Sequence, residues 1–73
     1  MSWNYRIVCY KDGSGYGLHE VYYDEDGVAD GMTEKPISFS FDKSEEVIKA
    51  IEMALKDCKE RPIFIEPESW SEK

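Results

Sequence analysis

The spacing of apolar residues changes once along this chain, and that change limits the folds open to it. Residues 3–10 set Trp3, Tyr5, Ile7 and Cys9 in alternation with Asn4, Arg6, Val8 and Tyr10, the two-residue period of a strand with one buried face. The odd-numbered residues are the expected core side. Beyond Asp42 the apolar residues Val47, Ile48, Ile51, Ala54, Leu55 and Cys58 recur at helical spacing and form one stripe. Strands followed by a helix point to an α+β fold in β-β-β-α-β order, with a helix from Lys43 to Lys59 packed on one face of a small antiparallel sheet.

The turn residues divide the strand region. Asp12-Gly13-Ser14-Gly15 supplies residue types that tolerate positive backbone angles, and Tyr16 to Tyr23 follows as the second arm of a hairpin. If Ile7 faces the core with Val21 and Tyr23, cross-strand partners sum to an even number and the loop holds an odd number of residues. That register sets Glu20 on the outer face with Arg6 and Val8, and His19 on the inner side or rim near Cys9. Asp24-Glu25-Asp26-Gly27 is a second tight turn, leading into a third strand that begins near Val28. After the Pro36 breaker, Ile37, Phe39 and Phe41 alternate with serines and extend the third strand or form a short fourth. Asp42-Lys43-Ser44-Glu45 fits a capping box opening the helix. Lys56, Lys59 and Arg61 complement its C-terminal dipole, and Pro62 stops it. Ile63, Phe64 and Ile65 read as a final edge strand. Residues 1–66 thus form one domain, and 67–73 are a flexible tail with Trp70 as its anchoring candidate.

At 73 residues the chain has room for one modest core, burying roughly 60 to 65% of its unfolded surface. Ten aromatic residues argue for a packed fold and against a disordered acidic tail. The net charge of -7 is segregated, because Asp12 to Glu34 holds seven carboxylates and no Lys or Arg while the rest is near balance. An acidic face of this kind suits a basic protein and not a phosphate backbone, so direct nucleic-acid binding is not expected. No apolar run approaches the ~20 residues of a membrane span and no leader pattern is visible, which points to a cytoplasmic protein. Cys9 and Cys58 are read as reduced core residues.

The side chains that carry chemistry are few. His19 is the single histidine, and although the register above sets Cys9 near it, a core-facing thiol is a poor nucleophile. His19 is instead expected as a partner contact or rim residue. The Asp24, Asp26 and Asp30 set lacks the order of a calcium loop, and one His with two distant Cys is too few for zinc. No catalytic residue, cofactor or metal ligand is assigned, and the chain is not expected to be an enzyme.

The runs Trp3-Asn4-Tyr5-Arg6-Ile7-Val8 and His19-Glu20-Val21-Tyr22-Tyr23-Asp24-Glu25-Asp26-Gly27, with Pro36 ahead of a helix, closely resemble short bacterial proteins of unassigned function. More distantly, the strands, the Asp-Gly turn, the third strand and a helix opening at Ser44-Glu45-Glu46-Val47 resemble the N-terminal domain of HicB-type antitoxins. That resemblance implies a partial ribonuclease-H-like fold and a partner that is a small basic RNA-cleaving toxin. The Pro-Gly-Cys element typical of that family's third strand is absent here.

Charge and resemblance together lead to a non-catalytic module whose hairpin residues Glu20, Tyr22, Asp24, Glu25 and Asp26 meet a basic protein. Two other readings share the sequence: self-assembly through an exposed strand edge such as Ile63 to Ile65, giving a homodimer, and acidic mimicry of nucleic acid.

Overall fold

The computed structural model describes residues 2–70, and Met1 and residues 71–73 lie outside that range. Its elements run β1 (Ser2–Cys9), β2 (Tyr16–Tyr23), β3 (Ala29–Met32), α1 (Ser44–Glu60) and β4 (Phe64–Ile65). The fold is α+β in β-β-β-α-β order, with one helix packed on a curled sheet. Spatially the strands lie in the order β3-β2-β1-β4; β1, β2 and β3 are antiparallel neighbours, and the two-residue β4 joins β1 in parallel.

The first hairpin corrects the expected register. Every cross-strand pair from Ser2 with Tyr23 to Cys9 with Tyr16 adds to 25, an odd sum, and the loop between the strands holds six residues, 10–15. Tyr10 N–H donates to the Gly15 carbonyl (2.9 Å), which adds one more rung, and Gly13 and Gly15 turn the chain at φ 80° and 133°. Because the side-chain period is two, a one-residue change of register exchanges the companions of every residue on the opposite strand. Arg6 and Val8 therefore share a face with His19 and Val21, while Glu20 lies on the face of Tyr5 and Ile7. Cys9 sits opposite Tyr16, on the other face from His19, so no Cys-His pair forms.

Burial follows the observed register. Val8 and Val21 are 0% exposed and His19 1%, whereas Trp3 and Ile7 on the expected core face are 46% and 37% exposed. Tyr5 alone on that face is buried, with Trp3 edge-on at 5.2 Å and Phe39 tilted at 6.2 Å. Residues 33–41 form no strand, yet Thr33 N–H donates to the Glu20 carbonyl (3.0 Å) and Ile37 N–H to the Leu18 carbonyl (2.8 Å). The expected strand continuation is thus reduced to two hydrogen bonds along β2, which bring Thr33 to His19 and Phe39 to Tyr5.

Helix α1 reaches the sheet at β1. The Tyr5 amide points away from β2 and donates to the Asp57 carboxylate (3.1 Å). Asp57 thus does for Tyr5 what β4 does for Val8 and Cys9, satisfying an edge group that would otherwise be left open. Ala54 is the one helix residue that is buried, and Val47, Ala50, Asp57 and Cys58 are half-buried around it. The expected stripe is therefore split: Ile48, Ile51 and Leu55 remain exposed.

The capping box does not form. The N-cap is Lys43, extended at φ -125° and ψ 143° with no side-chain cap, and Asp42 lies outside the helix. Glu45 and Glu46 offset the first-turn amides electrostatically and Lys59 does so at the other end. Exchanging Lys43 for Asp supplies the missing acceptor at an exposed site, and we expect a gain of about 1 kcal/mol in unfolding free energy, read from the urea midpoint.

Candidate functional site

The hairpin between β2 and β3 is built around one carboxylate. Asp24 Oδ1 accepts from the amides of Asp26 (2.9 Å) and Val28 (3.0 Å). The Asp24 amide donates to the Val28 carbonyl (2.9 Å) and Gly27 N–H donates to the Asp24 carbonyl (3.0 Å). Gly27 takes φ 79°, a left-handed angle that a side chain disfavours. Asp24 is consequently half-buried and engaged by the turn, and Glu25 and Asp26 project exposed from its tip.

Glu20 and Tyr22 belong to the face of β2 shared with Tyr5, and the Tyr22 hydroxyl donates to Glu20 Oε1 (3.1 Å). Burial, and then the hydrogen bond to Glu20 and the charge of that carboxylate, hold Tyr22 above the usual phenol range. Tyr5 is shifted the same way by burial and by Glu20 and Asp57. The five hairpin residues thus form two groups: a Glu20–Tyr22 pair on the strand, and a turn in which Asp24 organises Glu25 and Asp26. The register shifts between Tyr22 and Tyr23, so that Asp30 on β3 has no partner on β2 and remains exposed.

Tyr23, one residue from Tyr22, faces the other side and joins a network that sequence reasoning missed. Its hydroxyl accepts from Arg6 Nη1 (2.9 Å) and lies 2.8 Å from the Asn4 amide. With its oxygen turned outward, that amide accepts from the Arg61 guanidinium. Arg6 Nη2 also donates to the Pro62 carbonyl (2.8 Å), and its guanidinium lies 5.3 Å from the Phe64 ring centroid. Arg6 thereby ties β2, the end of α1 and β4 to β1. The pattern Asn4, Arg6 on one strand and Tyr23 on the next carried a signal only once the register was known.

His19 is not the partner contact or rim residue expected for it. Its Nδ1 lies 3.0 Å from both the carbonyl and the hydroxyl oxygen of Thr33, and its Nε2 lies 2.7 Å from the Tyr10 hydroxyl. A carbonyl can only accept, so the Nδ1–H tautomer donates to Thr33 and leaves Nε2 to accept from Tyr10. The Tyr10 and His19 rings meet edge-on at 5.5 Å. This is a closed interior network and is not open to a substrate.

The two cysteines are free and half-buried. Burial and the Asp57 charge push the Cys58 thiol up, opposed by the Ile7 amide and Arg6. At the other end of the sheet Trp70 packs on Phe64 at 5.6 Å, and the Lys11 ammonium donates to the Trp70 carbonyl. Trp70 therefore folds back on β4; residues 71–73 of the expected tail lie outside the described residues. Among the described residues no group of three or more His, Cys, Asp or Glu could hold a metal ion, and no helix is long and apolar enough to cross a membrane.

Comparison with protein-family models, with curated proteins and with solved structures finds no match.

Proposed function

We propose that this chain is a non-catalytic, cytoplasmic protein-binding module that engages a basic protein through Glu20, Tyr22, Asp24, Glu25 and Asp26. The observation that carries this reading is the pre-ordered turn: one Asp24 oxygen receives two turn amides, which holds Glu25 and Asp26 outward before any partner arrives. A turn fixed in advance loses less conformational freedom on binding. Carboxylates without a neighbouring cation in the segment Asp12 to Glu34 steer a positively charged surface toward it. The Glu20–Tyr22 pair adds an aromatic edge with an acceptor beside it, a combination suited to arginine. The resemblance to the N-terminal domain of HicB-type antitoxins extends this to a small basic RNA-cleaving toxin as the partner, with no cofactor and no direct nucleic-acid contact.

The test compares the native chain with a variant carrying Asp24→Asn, Glu25→Gln and Asp26→Asn. Asparagine keeps an acceptor oxygen for the turn amides, so the change removes charge and not the turn. A basic protein captured from source-cell lysate at low salt, identified and then titrated, is expected to bind the variant at least about tenfold more weakly, with a shallower salt dependence. Equal affinity and equal salt dependence for the two chains would rule the reading out.

A further inference from the structure

Trp3, Tyr5, Glu20 and Tyr22 form a block on one face of the sheet. Trp3 stands opposite Tyr22 and Tyr5 opposite Glu20, so the alternation of the two strands brings all four side chains to the same side. Tyr5 is the floor, 8% exposed, and the Trp3 ring meets it edge-on at 88°. Trp3 itself is 46% exposed, and Glu20 and Tyr22 are half-buried. Toward β3 the block is open, because the partner of Tyr22 there is Gly31, which brings no side chain; a Cβ at that position would lie 4.0 Å from the Tyr22 ring.

The block lacks a cation. Glu20 Oε1 accepts from the neutral Tyr22 hydroxyl, and Glu20 makes no ion pair among the described residues. Arg6, the one Lys or Arg on β1 and β2, is turned to the opposite face, where it binds Tyr23. The charge of Glu20 acts on both phenols, and that of Asp57 on Tyr5 as well. A half-buried carboxylate framed by aromatic rings suits an organic cation, since the ring faces attract positive charge and the carboxylate accepts its hydrogen bonds. Guanidinium meets both demands at once: its flat face lies on a ring while its N–H edge reaches a carboxylate. An ammonium is a compact and strongly hydrated point charge that cannot stack.

We propose that this block is the anchor for an arginine side chain of the basic partner, with the guanidinium stacked on Trp3 and its N–H edge on Glu20. The inference rests on the reading of the hairpin as a surface for a basic protein, and it names the side chain that the surface takes. Glu25 and Asp26 steer from the turn, over a distance that salt screens, whereas Trp3 and Glu20 hold by contact.

Titration of the full chain with N-acetyl-arginine N-methylamide at constant ionic strength, followed by proton–nitrogen correlation NMR, tests it. The Trp3 indole N–H and the Tyr22 amide are expected to shift saturably with a millimolar Kd, while the Trp70 indole, packed on Phe64 at the other end of the sheet, stays in place. The lysine counterpart carries the same charge and is expected to bind at least about fivefold more weakly. Glu20→Gln keeps an acceptor for the Tyr22 hydroxyl, and Trp3→Ala changes an exposed site. Each is expected to weaken the arginine compound at least about fivefold, read from the Tyr22 amide, with native far-UV circular dichroism. Absence of a saturable shift overturns the proposal, as does equal binding of the lysine compound or undiminished binding by either variant. The chain carrying Asp24→Asn, Glu25→Gln and Asp26→Asn is expected to bind the arginine compound within about twofold of the native chain. A loss there as large as that of Glu20→Gln would make the effect one of net charge and overturn the anchor. If that chain keeps the arginine compound and also holds the basic protein as tightly as the native chain at every salt concentration, the hairpin reading fails and the anchor stands.

Discussion

Replacing His19 with Ala is expected to lower the unfolding free energy by about 3 kcal/mol, most of what a domain of this length holds in reserve. Two costs combine. The ring is 1% exposed, so its removal opens a space between Val8 and Val21 that neither β-branched neighbour can fill. Its two nitrogens also satisfy the Tyr10 hydroxyl and the Thr33 carbonyl, and truncation leaves both without that partner. His19→Leu separates the terms, because leucine restores most of the volume and none of the hydrogen bonds; a loss of about 2 kcal/mol is expected for it. Equilibrium urea unfolding measures both. A midpoint for His19→Ala within experimental error of the native chain would mean that the network contributes nothing to stability.

Much of this architecture was legible because it depends on short-range chemistry. The alternation in residues 3–10, Gly13, Gly15 and Gly27 at turn positions, helical spacing after Asp42 and Pro62 as a stop are each local rules, and the elements they mark appear within a residue or two of their expected place, whereas the extended segment expected at Ile37 to Phe41 forms no strand. The register was not legible, because burial on β1 does not follow its alternation: Trp3 and Ile7 on the apolar face are exposed, while Val8 on the mixed face is fully buried. Tyr5 and Val8, on opposite faces, are both buried, and Asn4 and Arg6 share a face with Val8. Hydrophobicity alone therefore did not choose between even and odd sums. What chose was the loop: the Tyr10–Gly15 rung and the Tyr10–His19 bond close six residues where an odd number was expected.

The candidate site was legible in its turn and opaque in its surroundings. Asp24-Glu25-Asp26-Gly27 declares itself by composition, and the structure adds that Asp24 is the organiser while Glu25 and Asp26 are presented. Thr33 as a partner of His19, and Asp57 as the acceptor for the Tyr5 amide, depend on contacts across 14 and 52 residues that no local pattern encodes.

Gly17→Ala is expected to cost about 2 kcal/mol, although glycine here takes an ordinary backbone angle and alanine is no worse for the strand. The reason is the Tyr10 ring, which crosses the bare Gly17 backbone to reach His19. A methyl group at Gly17 overlaps the Tyr10 hydroxyl, comes within 2.9 Å of Tyr10 Cζ and lies 3.2 Å from His19 Nε2. Valine at position 8, the cross-strand neighbour of Gly17, is fully buried and leaves the ring no room to move inward. Tyr10 must therefore swing outward, which breaks its bond to His19 and strands an acceptor in the interior. The mechanism predicts its own suppression. In a Tyr10→Ala background the obstacle and the hydrogen bond are already gone, so adding Gly17→Ala should change the urea midpoint by no more than a few tenths of a kcal/mol. Additive losses in the double variant would show instead that Gly17 is needed for the backbone and not for the tyrosine that passes over it.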